Sequence, residues 1–174
     1  FSAEMNIDAR GKIPQYSLRF EGTGFEYGPL MRARDPASPH NGTLELSMDI
    51  KTSGVPETFE QNATGTIDVL VLPRNQTTGS LSLLGAGVLR LVMRTLDPRD
   101  QSRLNCVVGS FDVDHGIATS RIILLDTTLA RVAGDLVIDY RSGGLRGAFA
   151  PRSKQPQILS VAPGITLGGT LDAP

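Results

Sequence analysis

The segment Asp112-Val-Asp-His-Gly116 is the part of the chain best equipped for chemistry, because it gathers two carboxylates and an imidazole within five residues. Such a group could bind a metal ion or act as an acid–base pair. A calcium loop would need further ligands ending in a glutamate, and residues 117–123 supply none. Asp, His and Gly also tolerate the left-handed backbone of a tight hairpin turn. The sequence therefore favours a turn here over a metal or acid–base site.

Other catalytic signatures are absent from the sequence. No Gly-x-Ser-x-Gly elbow anchors a hydrolase triad, and Gly22-Thr-Gly24 falls short of a dinucleotide fingerprint. Cys106 is the only cysteine and lies in an apolar run, so it is best explained as a small buried side chain. Asn41, Asn62 and Asn75 match the glycosylation acceptor pattern but are interpreted as turn residues. We therefore predict no enzyme activity, no catalytic residue, no metal and no cofactor.

Composition excludes two classes of partner. The 174 residues include 17 basic and 18 acidic side chains in mixed order, so no basic patch is available for nucleic acid. Aromatic residues make up 5% and Trp is absent, which argues against stacking on sugars or single-stranded bases. The chain starts at Phe1, with no export signal and no stretch long enough to cross a bilayer. We expect a single domain over residues 1–174 that is a fragment of a longer protein.

Alternation of apolar and polar residues predicts three strands in the first half, at residues 16–21, 43–51 and 66–72. A strand with one buried face shows this period of two. Pro56 and Gly65 suit the entry and exit of a short helix near residues 55–62. The residues on the apolar side of the second and third strands are Leu44, Leu46, Met48, Ile50, Ile67, Val69 and Val71.

A helical period replaces this alternation at residues 80–96, where Leu81, Leu84, Val88 and Leu91 recur at helical spacing. The stripe is interpreted as the core face of one main amphipathic helix. Further strands are predicted in the last third, at residues 103–113, 117–125, 129–140, 145–149 and 165–171, with a polar linker at residues 150–157. Val132, Leu136 and Ile138 share one side of the third of these strands.

These patterns predict an α+β fold that is mostly β. It is a curved antiparallel sheet that forms a meander in its last third. The main helix packs against this sheet.

The segment Ser102–Arg121 strongly resembles the C-terminal region of the AsmA-like family of bacterial envelope proteins. In that family a strand ending in Phe-Asp-Val runs through a tight turn into a strand of Ala-Thr type, as residues 111–119 do here. The likeness covers about residues 40–174. It continues through Asn62-Ala-Thr-Gly65, Leu124-Leu-Asp-Thr127, Val132-Ala-Gly134, Asp139, the strand at Leu145, Gly169-Thr-Leu171 and Pro174.

The resemblance implies a location, a fold and a role. AsmA-like proteins are anchored in the inner membrane by an N-terminal helix and extend into the periplasm as long bent β-sheets with an apolar concave face. They are implicated in moving phospholipid towards the outer membrane and in its integrity or assembly. The family implies a periplasmic, non-enzymatic domain whose membrane anchor lies outside residues 1–174.

Two functional hypotheses follow. In the first, an apolar β-groove holds phospholipid or another acyl-chain lipid. In the second, the domain is a structural end-cap or scaffold that binds an envelope protein without binding lipid. The candidate groove residues are Leu44, Leu46, Met48, Ile50, Ile67, Val69, Val71, Val132, Leu136 and Ile138. The sequence leaves open which of them line a groove and which are sealed beneath the helix.

Overall fold

A computed structural model describes residues 1–76, 102–154 and 164–171. These residues form one sheet of nine strands in which every strand pairs antiparallel with its neighbour along the chain. The sheet does not close on itself. The strands are β1 (Ser2–Asp8), β2 (Gln15–Glu26), β3 (Gly42–Ser53), β4 (Thr64–Pro73), β5 (Leu104–Asp114), β6 (Ile117–Thr127), β7 (Ala130–Asp139), β8 (Gly144–Ser153) and β9 (Ile165–Thr170).

The mostly β, antiparallel prediction is confirmed, and the meander runs through all nine strands rather than the last third alone. β1 was not predicted, and the polar linker predicted at residues 150–157 is wrong over residues 150–153, where β8 continues. Pro151 is tolerated in that strand because β9 pairs with β8 only as far as Phe149. The missing N–H of Pro151 therefore faces no partner on the β9 side.

Helical structure is limited to short segments within the described residues. Helix α1 spans Gly28–Arg34, a 3-10 turn spans Pro56–Thr58, and α2 spans Phe59–Asn62. The last two occupy the place of the predicted short helix. The predicted main helix at residues 80–96 lies outside the described residues. No helix in the described part of the chain is long and apolar enough to cross a membrane.

The turn between β5 and β6 has the conformation that its residues favour. His115 has a φ of 46° and Gly116 a φ of 77°, so both central residues are left-handed. Two such residues match the right-handed twist of a tight hairpin. The predicted positive φ of Gly116 is confirmed, and His115 shares it.

The core lies on one side of the sheet, towards one end of the strands. Its buried side chains come from α1's N-cap, β4, β5, β6, β7 and β8, and helix α1 adds Met31 at its margin. The buried members are Tyr27, Val71, Leu104, Val107, Ile123, Leu125, Val132 and Phe149.

Candidate functional site

The strand register places all ten predicted groove residues on the same side of the sheet. Leu44, Leu46 and Met48 of β3 lie opposite β4 residues of the same set. Residues directly opposite each other in a ladder point to the same face. Following the pairs through β5 and β6 brings the three β7 residues to this side as well. The pairs within the set are Leu44 with Val71, Leu46 with Val69 and Met48 with Ile67.

This side, which we call the apolar face, extends well beyond the ten predicted groove residues. Its paired positions in the described strands hold no charged residue. The groove residues predicted from the sequence came from only three of the nine strands, β3, β4 and β7. The members missed as site residues include Ala3, Met5, Ile7, Leu18, Phe20, Val107, Phe111, Val113, Ile123, Leu125, Leu145, Phe149, Ile165 and Leu167.

One part of the apolar face is closed. Leu125 is 0% exposed and Val132 1%, which places them at the centre of the core. Val71 is also buried, at 5% exposed. Leu44, Val69 and Leu136 are partly buried and pack against this core. These five predicted groove residues contribute to the closed part.

Tyr27 seals the end of the closed part next to β3. Its hydroxyl donates to the carbonyl oxygen of Asn41 at 2.8 Å, and Gln76 Nε2 donates to that hydroxyl at 2.9 Å. Gln76 Nε2 also donates to the Asn41 carbonyl at 2.6 Å. Burial raises the pKa of the Tyr27 phenol, and the hydrogen bond from Gln76 opposes that rise. The phenol therefore stays neutral and holds the β3 end against the core.

The other part of the apolar face, on β1 to β4, is open to solvent. Met5 is 68% exposed and Ile7 59% exposed, although both point to the apolar side. We define the open part as Met5, Ile7, Leu18, Phe20, Leu46, Met48, Ile50 and Ile67, all of which are exposed or half-buried. Four of the predicted groove residues belong to it. The tenth, Ile138, is half-buried on β7, opposite Ala118.

Helix α2 limits the open part at one end of the strands. The rings of Tyr16 and Phe59 lie with centroids 4.5 Å apart. Thr52 Oγ1 donates to the carbonyl oxygen of Phe59 at 2.8 Å, which ties α2 to β3. An aromatic pair at this distance adds to the burial energy of its rings. Helix α2 therefore forms a wall beside the open part.

The opposite side of the sheet, the polar face, carries ion pairs. Arg121 Nη2 lies 3.0 Å from Asp68 Oδ1, and Ser110 Oγ donates to the same oxygen at 2.5 Å. Arg19 Nη2 lies 2.7 Å from Asp49 Oδ2. Exposed pairs of this kind add little stability but keep this face hydrated. The contrast between the two faces makes the apolar side the candidate binding surface.

The ionisable side chains of the segment 112–116 contact different partners. His115 Nδ1 lies 2.6 Å from Asp114 Oδ1, and both side chains are largely exposed. Asp112 instead approaches Arg121 Nε at 3.4 Å. No group of three potential metal ligands occurs among the described residues. Burial, and then the nearby Asp126 carboxylate, raise the pKa of the Cys106 thiol, which disfavours a nucleophilic thiolate.

Comparison with known proteins gives no identification. No protein-family model, curated protein or solved structure matches this chain. The AsmA-like resemblance stays a prediction from the sequence.

Proposed function

We propose that this chain is a non-enzymatic domain that holds the acyl chains of phospholipid on the open part of its apolar face. Its place is the periplasm, within an AsmA-like protein anchored in the inner membrane, and its role is phospholipid transport to the outer membrane or that membrane's integrity and assembly. The observation that carries the proposal is an apolar, uncharged surface across β1 to β4 that remains exposed or half-buried.

The size and chemistry of the open part suit an acyl chain. Neighbouring strands lie about 4.8 Å apart, so four strands give a surface roughly 14 Å wide. Each methylene that leaves water for such a surface contributes about 0.8 kcal/mol. A headgroup would remain in water, because the paired positions of this face carry no charge to bind it. Recognition would therefore be by chain burial rather than by headgroup chemistry.

Irregular strand pairing supports a bent surface. The ladder register shifts between Gly22 and Phe25 on β2, and again between Ser110 and Phe111 on β5. Two more shifts separate Leu104 from Cys106 on β5 and Thr119 from Ile123 on β6. Bulges bend strands and increase their local twist. We infer that the sheet curves and that the open part forms one wall of a shallow trough.

Native mass spectrometry tests the lipid proposal directly. The chain is expressed in a bacterial periplasm and purified without detergent, and we expect a retained mass of phospholipid size. Met48→Asp places a carboxylate in the open part and should remove that adduct, since burying a charge against acyl chains costs several kcal/mol. Ser47→Lys is the control that places a charge on the polar face instead, because the exposed Ser47 is next along the strand and lies opposite Glu21 and Asp68.

A second pair of variants controls for the possibility that a substitution removes lipid by unfolding the protein. Ile7→Asp changes a residue that is already 59% exposed, so the fold tolerates it, and Asn6→Asp is its neighbour on the polar face. Lipid should be lost from Ile7→Asp and kept by Asn6→Asp. An apo mass for the unaltered chain after incubation with phospholipid vesicles contradicts the proposal. So does equal lipid retention in each variant and its control.

The scaffold hypothesis is the second candidate, and one observation favours it. The sheet is unclosed, so β1 and β9 each have a single strand neighbour among the described elements. Free strand edges bind extended segments by strand addition. A chain that stays free of lipid and whose purified form pairs with an envelope protein through β1 or β9 would favour this role.

A further inference from the structure

The fold separates charges that are mixed along the sequence. Because all strands are antiparallel, the connections β2–β3, β4–β5, β6–β7 and β8–β9 lie at one end of the strands, which we call the basic end. With the two strand residues on each side of these connections, the described residues of the basic end include seven basic and three acidic side chains. The same count at the other end gives three basic and five acidic side chains.

The carboxylates at the basic end do not balance its cations. Glu26 pairs with Arg74 at 3.3 Å. Asp126 pairs with both Arg131 and Lys154, at 3.2 Å and 2.7 Å. The other four basic side chains are exposed and form no ion pair with a described residue: Arg32, Arg34, Arg103 and Arg152.

Two of these cations face each other across a ladder. Arg131 of β7 lies directly opposite Arg152 of β8. Like charges at such positions destabilise a sheet, and Asp126 is shared between Arg131 and Lys154. An anion bound from outside would relieve this excess of positive charge. β7 and β8 lie six and seven strands along the sheet from β1, so the exposure of these arginines does not depend on what precedes Phe1.

Helix α1 adds an exposed apolar side chain to the basic end. Met31 of this helix packs against the core, whereas Leu30 is 58% exposed. Leu30 and Arg34 are four residues apart, so they share one face of the helix. Leucine beside basic residues is typical of helices that lie on a membrane, where the apolar side chain enters the boundary between headgroups and acyl chains. An acidic protein surface would offer Leu30 no such environment.

We propose that the basic end docks on the surface of a bilayer that contains anionic phospholipid, with Leu30 entering the interface. The guanidinium groups of the four unpaired arginines bind lipid phosphates, which match their planar fork of donors. Each basic side chain close to an anionic bilayer strengthens binding roughly fivefold. The inference goes beyond the holding of acyl chains, because no residue of the basic end belongs to the open part of the apolar face.

Vesicle flotation tests the proposal. The chain is mixed with phosphatidylcholine vesicles that either contain or lack phosphatidylglycerol, and the bound fraction is measured as the salt concentration rises. We expect binding to be at least roughly tenfold tighter with phosphatidylglycerol. This difference should shrink as salt screens the charges. Equal binding to the two kinds of vesicle, or binding to neither, overturns the proposal.

Charge-reversal variants locate the contact. Arg103→Glu combined with Arg152→Glu should weaken binding to the anionic vesicles at least roughly tenfold. Both side chains are exposed, and an acidic residue opposite Arg131 favours the ladder, so the fold is retained. Lys12→Glu combined with Lys51→Glu is the matched control. It changes the net charge equally, but these exposed lysines lie at or next to the other end of the strands. Equal weakening in both double variants overturns the proposed surface.

Two further variants separate docking from other modes of binding. Leu30→Ser should weaken vesicle binding roughly fivefold, whereas Ala33→Ser, at an exposed position of the same helix, should not. Unchanged binding by Leu30→Ser overturns the bilayer as the partner. Met48→Asp, which should remove held lipid, should bind anionic vesicles as the unaltered chain does. Loss of its vesicle binding would place the contact on the apolar face and overturn docking through the basic end. Failure of docking and failure of lipid holding are therefore distinguishable.

Discussion

Leu125 and Leu46 point to the same face of the sheet but differ in their exposure to water. Leu125 is fully buried, whereas Leu46 is half-buried. We expect Leu125→Ala to lower the free energy of unfolding by about 3–5 kcal/mol, because it leaves a cavity in the core. Leu46→Ala should cost roughly 1 kcal/mol, since water already reaches that site. Urea unfolding of both variants measures the difference. Equal losses would contradict the division into a closed and an open part.

Asp126, on the polar face, makes the free energy of unfolding depend on pH. Its side chain is 14% exposed and accepts hydrogen bonds from Asn105, Arg131 and Lys154. Burial acts to raise the pKa of this carboxyl, but the bonds from Lys154, Asn105 and Arg131 together hold it below its ordinary value. A folded pKa below the unfolded one stabilises the fold above the unfolded pKa of about 3.9. That contribution is lost as the pH falls through the folded pKa.

We therefore expect Asp126→Asn to lower the free energy of unfolding at pH 7 by about 1–2 kcal/mol. The difference from the unaltered chain should shrink as the pH falls below the unfolded pKa of about 3.9 and through the lower folded pKa, because the native carboxyl then becomes protonated as well. Urea unfolding across this pH range measures it. Asp49→Asn is the control, because its ion pair with Arg19 is exposed and should contribute little. A loss of unfolding free energy that is the same at every pH would show that the hydrogen bonds to Asp126 do not depend on the charge of its carboxylate.

At the scale of elements, the hairpin between β5 and β6 is fixed by Gly116. Its φ is +77°, and a Cβ there would lie 2.8 Å from the backbone oxygen of Glu60 and 2.9 Å from the Cα of Gln61. Gly116 N also donates to the carbonyl of Ala63 at 3.1 Å. This glycine therefore permits both the left-handed turn and the close approach of α2.

Gly116→Ala and Gly143→Ala separate these two requirements. Gly143 has a similar φ of +68°, but a Cβ there would meet no atom within 4 Å. Gly143→Ala should cost about 1–2 kcal/mol of unfolding free energy from backbone strain alone. Gly116→Ala should cost roughly 1–2 kcal/mol more, because α2 must also move. Thermal unfolding of the two variants compares them, and equal costs would show that α2 is not held against the turn.

The elements that could be predicted are those with a strong period. β3 alternates apolar and polar residues almost throughout. The strand predicted at residues 43–51 therefore lies within the observed Gly42–Ser53, and its apolar residues share one side of the sheet. A period alone was not enough for β1, which was missed although Ala3, Met5 and Ile7 alternate with polar residues. Its Glu, Asn, Asp and Ala residues are generally disfavoured in strands, and its pairing with β2 overrides that preference. Helix α1 is too short, at seven residues, to show a helical period.

The candidate site was predictable in part for the same reason. Alternation within a strand tells which residues share a side, and all ten predicted groove residues do share one. It does not tell which of them lie beneath other elements. Val71 is buried in a core whose other members, such as Tyr27 and Phe149, are distant in sequence, and no local pattern encodes that clustering. The division into open and closed parts therefore came only from the structure.

At the scale of the whole molecule, stability should vary across the sheet. β6 lies between two partners and contains the fully buried Leu125, whereas β1 has β2 as its only partner among the described strands. We expect the amide hydrogens of β1 in the dilute chain to exchange at least roughly 100-fold faster than those of β6. Hydrogen-exchange mass spectrometry at low micromolar concentration measures this. Equal protection would mean that another part of the chain covers the β1 edge.

The pairing of each strand only with its neighbours in the chain has a consequence for how such a protein can change in size. A hairpin inserted at either end of this sheet leaves every existing contact in place and widens the sheet by about 10 Å. Stability in such an arrangement is close to a sum over neighbouring units, as in repeat proteins. Duplication of hairpins can therefore lengthen the uncharged surface step by step, without redesign of the strands already present.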